Sequence, residues 1–155
     1  MGFRVFMSYS SADKRIIDKL ENDIRVLDIE VYRYEYDLQP GRPVDEKIKQ
    51  AIQSSDAFIL VLTQQSQYSP YVHQEIGVAE TLQKPIIPMV EEGLPGKILG
   101  MLQGREYIPF SHKNLEKART VLLNYLQKLK SRKDLLTAIA AIGFLILILF
   151  ALSKE

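Results

Sequence analysis

The sequence predicts an α/β fold, a parallel β-sheet wrapped by helices, and three observations carry that prediction. Short segments rich in β formers alternate with amphipathic stretches five times along the chain, the pattern of parallel strands joined by right-handed helical crossovers. The run Ala57 to Leu62, AFILVL, is apolar throughout, as a central parallel strand covered on both faces must be. The stretches between strands repeat apolar residues three and four apart, the period of a single helix face.

Phe3 to Ser8 is the first predicted strand. Ser10, Ser11 and Asp13 then offer capping side chains, and Ile16, Ile17, Leu20, Ile24 and Leu27 share one helical stripe. Ile29 to Arg33 alternates in character, which places the second strand toward a sheet edge. The loop Tyr34 to Pro43 is polar and aromatic, with Pro40–Gly41 as its turn signal. Pro43 opens the next helix, whose stripe is Val44, Ile48, Ala51 and Ile52. After the central strand, Ser69 suits an N-cap and Pro70 the first helical position, where a missing N–H costs nothing. That helix runs to about Leu82 and buries Val72, Ile76 and Ala79. Lys84–Pro85 ends it before a fourth strand, IIPMV. A loop with one short helix leads to a fifth strand, Glu106 to Phe110, which Pro109 assigns to an edge. Leu115 to Leu129 is the final helix of the domain.

A chain of 155 residues accommodates one domain and an appendage. Twenty Lys and Arg stand against 19 Asp and Glu, a net charge of +1 that gives no electrostatic reason to expect nucleic acid. The absence of cysteine excludes disulfides and thiolate chemistry. The two histidines, His73 and His112, lie far apart, so the sequence offers no metal cluster. The start, MGFRVFMSYSS, lacks the apolar core of a signal peptide, and the domain is expected in the cytoplasm.

The tail is different. Leu135 to Leu152 contains no charge and as a helix would rise about 27 Å, enough for a hydrocarbon core of about 30 Å. Its apolar residues cover every face, which separates it from an amphipathic surface helix. Lys128, Lys130, Arg132 and Lys133 precede it, so the positive-inside rule puts the domain on the cytoplasmic side. The expected organisation is a domain over 1–130, a basic linker over 131–134 and a single membrane span, a tail anchor, over 135–152. Confinement to a membrane raises the effective concentration of the domains and favours their self-association.

Candidate chemistry gathers at the start of the Ser69 helix. Tyr71 and Glu75, four apart, fall on one helix face beside the carboxyl end of the central strand, where open α/β sheets bind ligands. Glu75 is either a functional carboxylate or a solvated surface residue, and Tyr71 either a stacking wall or a half-buried tyrosine. His73 turns to another face and reads as a surface residue. Tyr9, Ser10 and Ser11 follow the first strand at a matching position, where they either contact a ligand or cap a helix. The 34–43 loop, with its dense tyrosines, reads as a lid and subunit contact or as a plain turn.

Together these segments resemble the Toll/interleukin-1 receptor (TIR) domain family over about Phe3 to Leu129. Ser8-Tyr9-Ser10-Ser11 with Asp13 is similar to the family's opening box. Asp37-Leu38-Gln39-Pro40-Gly41, with Glu46, Ile48, Ala51, Ile52 and Ser55 behind it, is similar to the BB loop and its helix. Ser69-x-Tyr71-x-x-x-Glu75 resembles the segment that carries the catalytic glutamate in TIR domains that cleave NAD⁺, with Tyr71 where Trp is frequent. The resemblance implies a flavodoxin-like five-stranded sheet and one of two functions. The first is an NAD⁺ glycohydrolase or cyclase of prokaryotic type, similar to the TIR component of the Thoeris antiphage system and serving defence or stress signalling. In it Glu75 is catalytic, Tyr9, Ser10, Ser11 and Tyr71 contact NAD⁺, and Asp37, Pro40, Gly41, Arg42 and Pro43 form the gate and assembly contact. NAD⁺ is then the substrate, no cofactor or metal is implied, and a separate effector senses the product. The second is a non-catalytic adaptor acting through TIR–TIR contacts. A third, weaker reading is an enzyme like the nucleoside deoxyribosyltransferases, with Glu75 as covalent nucleophile. The lack of a glycine-rich phosphate loop argues against redox use of the dinucleotide.

Overall fold

A computed structural model describes residues 2–34, 44–66 and 69–153. The strands are β1 (Phe3–Ser8), β2 (Ile29–Tyr32), β3 (Ala57–Leu62), β4 (Ile86–Glu91) and β5 (Ile108–Phe110). The helices are α1 (Lys14–Val26), α2 (Val44–Ser54), α3 (Pro70–Thr81), the short α4 (Gly96–Leu99) and α5 (Leu115–Leu152). The strands form one sheet in the order β2-β1-β3-β4-β5, with every pairing parallel. This is the doubly wound order whose direction reverses between β1 and β3, creating a crevice at their carboxyl ends.

Alternation along β1 and β3 divides the core into two layers. Phe6, Phe58, Leu60 and Leu62 pack with Ile48 and Ile52 of α2 and with Val72, Ile76 and Ala79 of α3. Phe6 stacks between Phe58 and Tyr32, each ring 5.5 Å away. Val5, Met7, Ile59 and Val61 are equally buried and point to the opposite face. The buried stripes Ile17, Leu20 and Ile24 of α1 and Ala118 and Leu122 of α5 belong to the same core. Arg119 holds Asp23 at 2.5 Å, which ties these two helices together.

Two prolines mark where the sheet lacks a neighbour. Pro109 lies in the edge strand β5, as its sequence position predicts. Pro88 lies inside β4, but β5 pairs only from Met89 onward, so at Pro88 the strand is locally an edge and the missing N–H is tolerated. The fifth strand is shorter than the predicted Glu106 to Phe110 for a related reason: residues 105–107 lie outside the ladder.

Chain contacts divide the protein into two units, 1–123 and 124–155. In the second unit the basic segment 131–134 is helical and contains no break. Lys and Arg are good helix formers, and neither Gly nor Pro interrupts the run. The apolar stretch that follows has a mean hydropathy of 2.9 with none of it buried. It is long and apolar enough to cross a membrane.

Candidate active site

The site is built where β1 ends. Strand parity puts Ser8 on the same face as Phe6, toward α3. The first two turns of α3 bring Glu75 to it, and the Ser8 hydroxyl donates a hydrogen bond to Glu75 Oε2. Glu75 is only 7% exposed. Burial pushes its carboxyl up to about 7, against the smaller lowering effect of the Ser8 hydrogen bond. The solvated-surface reading of Glu75 is thereby excluded. His73, two residues earlier, is exposed as expected.

A cleft of about 370 Å³ opens over this carboxyl, lined by Met7, Tyr9, Ser10, Ser11, Tyr34, Ile48, Ser69, Tyr71 and Glu75. The structure thus assembles Tyr9, Ser10, Ser11, Tyr71 and Glu75 around one cavity. Tyr71 stands at its mouth, 62% exposed. Ser69 is the N-cap of α3 by position, with Pro70 at the first helical place, but its side chain makes no capping bond. Ser10 does cap, accepting from the Ala12 N–H at 3.4 Å at the head of a short 3-10 turn. Just past β3, Thr63 and Ser66 bond reciprocally: the Thr63 N–H reaches Ser66 Oγ at 2.6 Å and the Ser66 N–H reaches Thr63 Oγ1 at 3.0 Å. Asp37, Pro40, Gly41, Arg42 and Pro43 lie outside the described residues.

Three contributors escape a reading of the sequence. Ser8 is the last residue of a strand and looks like ordinary strand chemistry, although its parity with Phe6 directs it to the crevice. Tyr34 reads as part of an interface loop but forms a wall of the cleft beside Ile48. Arg33 is fully buried behind Tyr9. Its place just past β2, in step with the buried Ile29 and Val31, is the signal that could have found it.

A doubly wound parallel sheet with a carboxylate and aromatic rings in the crevice at its switch point defines the class: an α/β domain with an open cleft at the carboxyl ends of its strands. The chain belongs to the TIR domain family, whose model matches residues 5–123. Among solved structures, it is 25% identical to a CMP N-glycosidase, BcmB, from Clostridium botulinum, with a TM-score of 0.54, covering 81% of this chain and 97% of that one. The TIR domain of a Toll-related receptor from Hydra magnipapillata is 20% identical, with a TM-score of 0.65 and coverage of 80% and 97%. The TIR domains of the activated Roq1 resistosome are 17% identical, with a TM-score of 0.53 and coverage of 83% and 84%. No curated protein matches the sequence.

Proposed function

We propose that this chain is a TIR-domain glycohydrolase that cleaves the bond between nicotinamide and ribose in NAD⁺. The observation that carries the reading is Glu75, buried at the base of an aromatic cleft and bonded to Ser8. Loss of nicotinamide leaves positive charge on the ribose, and a carboxylate beside the sugar stabilises that transition state without a metal. The tyrosine rings supply flat surfaces for the heterocycle. Water then completes hydrolysis, or an adenine nitrogen attacks the same carbon to close a cyclic product. Its role is antiphage defence or stress signalling, with a separate effector that senses the product. Self-association switches the domain on, and the apolar segment 135–152 holds it at the membrane with the domain cytoplasmic.

One observation favours a second substrate class. The 25% identical BcmB is a CMP N-glycosidase, and a pyrimidine nucleotide carries the same type of sugar–base bond. A neutral pyrimidine leaves only if it is protonated, whereas nicotinamide leaves NAD⁺ already neutral. A carboxyl near 7 supplies either form at neutral pH.

The test is product analysis after reconstitution in liposomes at low and high surface density, wild type against Glu75→Ala, with NAD⁺ and CMP supplied in parallel. Density-dependent nicotinamide release, lost in the variant, is the expected result. Cytosine release in its place would assign the second class. Equal clustering of both proteins with no turnover of either nucleotide would leave an adaptor.

A further inference from the structure

Arg33 is the largest fully buried side chain of the described core, and it lies directly behind the cleft. It directly follows β2 and is buried like Ile29 and Val31, with its side chain against α1. There its Nη1 donates to Asp18 Oδ1 at 2.6 Å and to Glu21 Oε2 at 2.8 Å. Glu21 is itself buried and also takes Arg25 at 2.7 Å. The guanidinium is therefore fixed from one side by α1. Its Nε points the other way and donates to the Tyr9 hydroxyl at 2.7 Å, with the guanidinium carbon 4.8 Å from the centre of the Tyr9 ring.

Tyr9 follows β1 at the point where the strand pairing has ended, so the backbone alone does not hold its ring. The ring nevertheless forms part of the cleft lining. Tyr34, the next residue after Arg33, lines the same cleft, with the Lys47 ammonium 5.7 Å from its ring centre. Fixing Arg33 thus fixes one wall through a hydrogen bond and the other through the chain.

We propose that Arg33 is a positioning residue that sets the Tyr9 and Tyr34 rings in the arrangement that receives the planar base of a nucleotide. The identity of that ligand rests on the glycosidase reading; the geometry does not. Lysine does not reproduce the role, because its single nitrogen cannot occupy both the Nη1 position that meets the carboxylates and the separate Nε position that meets the Tyr9 hydroxyl.

Two conservative variants test this. Tyr9→Phe keeps the ring and removes the acceptor; Arg33→Lys keeps the charge and removes the fork. Affinity for NAD⁺ and CMP is measured by calorimetry in a Glu75→Gln background, and KM and kcat with Glu75 intact. Each variant is expected to weaken binding and raise KM about tenfold, the scale of one mispositioned base–aromatic stack, with kcat nearly unchanged. The double variant should be no worse than Arg33→Lys alone, since Tyr9→Phe removes a bond that Arg33→Lys has already broken. A Tyr9→Phe protein that binds like the parent, beside an Arg33→Lys protein that loses only thermal stability, would reduce Arg33 to a structural role and overturn the proposal. If the Glu75→Gln parent binds neither nucleotide, the glycosidase reading fails, and the positioning role is decided without ligand. Fluorine NMR of 3-fluorotyrosine-labelled protein, with the Tyr9 signal assigned by its loss in Tyr9→Phe, then reads the ring directly. Collapse of that signal to the solvent-exposed value in Arg33→Lys supports the role, and an unchanged signal overturns it.

Discussion

The carboxyl end of β1 has buried charge on both sides, and the two sides treat it differently. Toward α3, Glu75 meets one serine hydroxyl and, among the described residues, no cation. Toward α1, Arg33 meets two carboxylates and a phenol, and its side-chain proton is held more tightly than usual despite burial. A buried ion that is fully paired keeps its charge and ties elements together. A buried carboxyl with only a neutral partner shifts its pKa instead, which costs stability while the charge is forced on it. The paired side is a frame, and the under-compensated side is where the chemistry would be. Similar burial thus serves opposite ends, and the partners decide which.

The largest effect should come from removing the uncompensated charge. Glu75→Gln keeps size and the contact with Ser8 but cannot stabilise a cation, and turnover should fall by at least about 10³-fold. Stability should move the other way. The folded pKa of about 7 is raised above the ordinary 4.5, so this group's contribution is fully present below 4.5 and is lost as pH rises to 7. Above that, forcing the buried carboxylate costs about 3 kcal/mol. The glutamine variant should therefore melt higher than wild type at pH 8, with the gap closing toward pH 5. Thermal unfolding across that range reads it. A gap independent of pH would mean that Glu75 is not perturbed, and the contrast between the two sides would lose its basis.

Breaking the paired side should be costly to the fold. Arg33→Met takes one cation from buried Glu21, leaving Arg25, and one from Asp18, leaving Lys14, so the fold should lose stability. Urea unfolding checks the size. Unchanged stability would show that the cluster contributes no net free energy, and the two faces of β1 would then differ less than their geometry suggests.

The contrast also explains what the sequence makes legible. The parallel sheet and the helix stripes follow from periodicity, so Ala57 to Leu62 and the Ile17, Leu20 and Ile24 face of α1 could be read directly. Glu75 could be found because Ser69-Pro70 fixes the helix start and therefore the helix phase. Its burial was not visible, because the depth of a helix against a sheet depends on the partner, and Ser8 lies 67 residues away. Arg33 was missed for the same reason: Asp18, Glu21 and Arg25 read as the solvated flank of an amphipathic helix until β2 docks beside them. Tertiary pairing of charge leaves little trace in local pattern.

The serine between the two sides offers a finer test. Its hydrogen bond favours the ionised form of Glu75, so Ser8→Ala should raise the carboxyl further above 7. With NAD⁺ the working form is the carboxylate, and the rate should climb through pH 7 in wild type. In Ser8→Ala that midpoint should move up, with a rate at pH 7 about tenfold lower, because losing a hydrogen bond to a charged group worth about 1.7 kcal/mol acts through the protonation equilibrium alone. At high pH the two profiles should converge. Parallel profiles offset at every pH would mean that Ser8 acts on packing and not on the proton.

The smallest effect is expected at the mouth of the cleft, where neither burial nor charge is at stake. Tyr71 shares the helix face of Glu75 but is mostly exposed, so its contribution is that of one ring against a partly solvated ligand. Tyr71→Phe should leave KM unchanged, because the ring carries the contact. Tyr71→Ala should raise KM by about three- to tenfold, the range of a single aromatic contact beyond its buried area. Tyr71→Trp would enlarge the stacking surface and lower KM below that of the parent. If Tyr71→Phe proved as damaging as Tyr71→Ala, the hydroxyl and not the ring would be the working group. Polar recognition would then extend from the buried floor of the cleft to its rim.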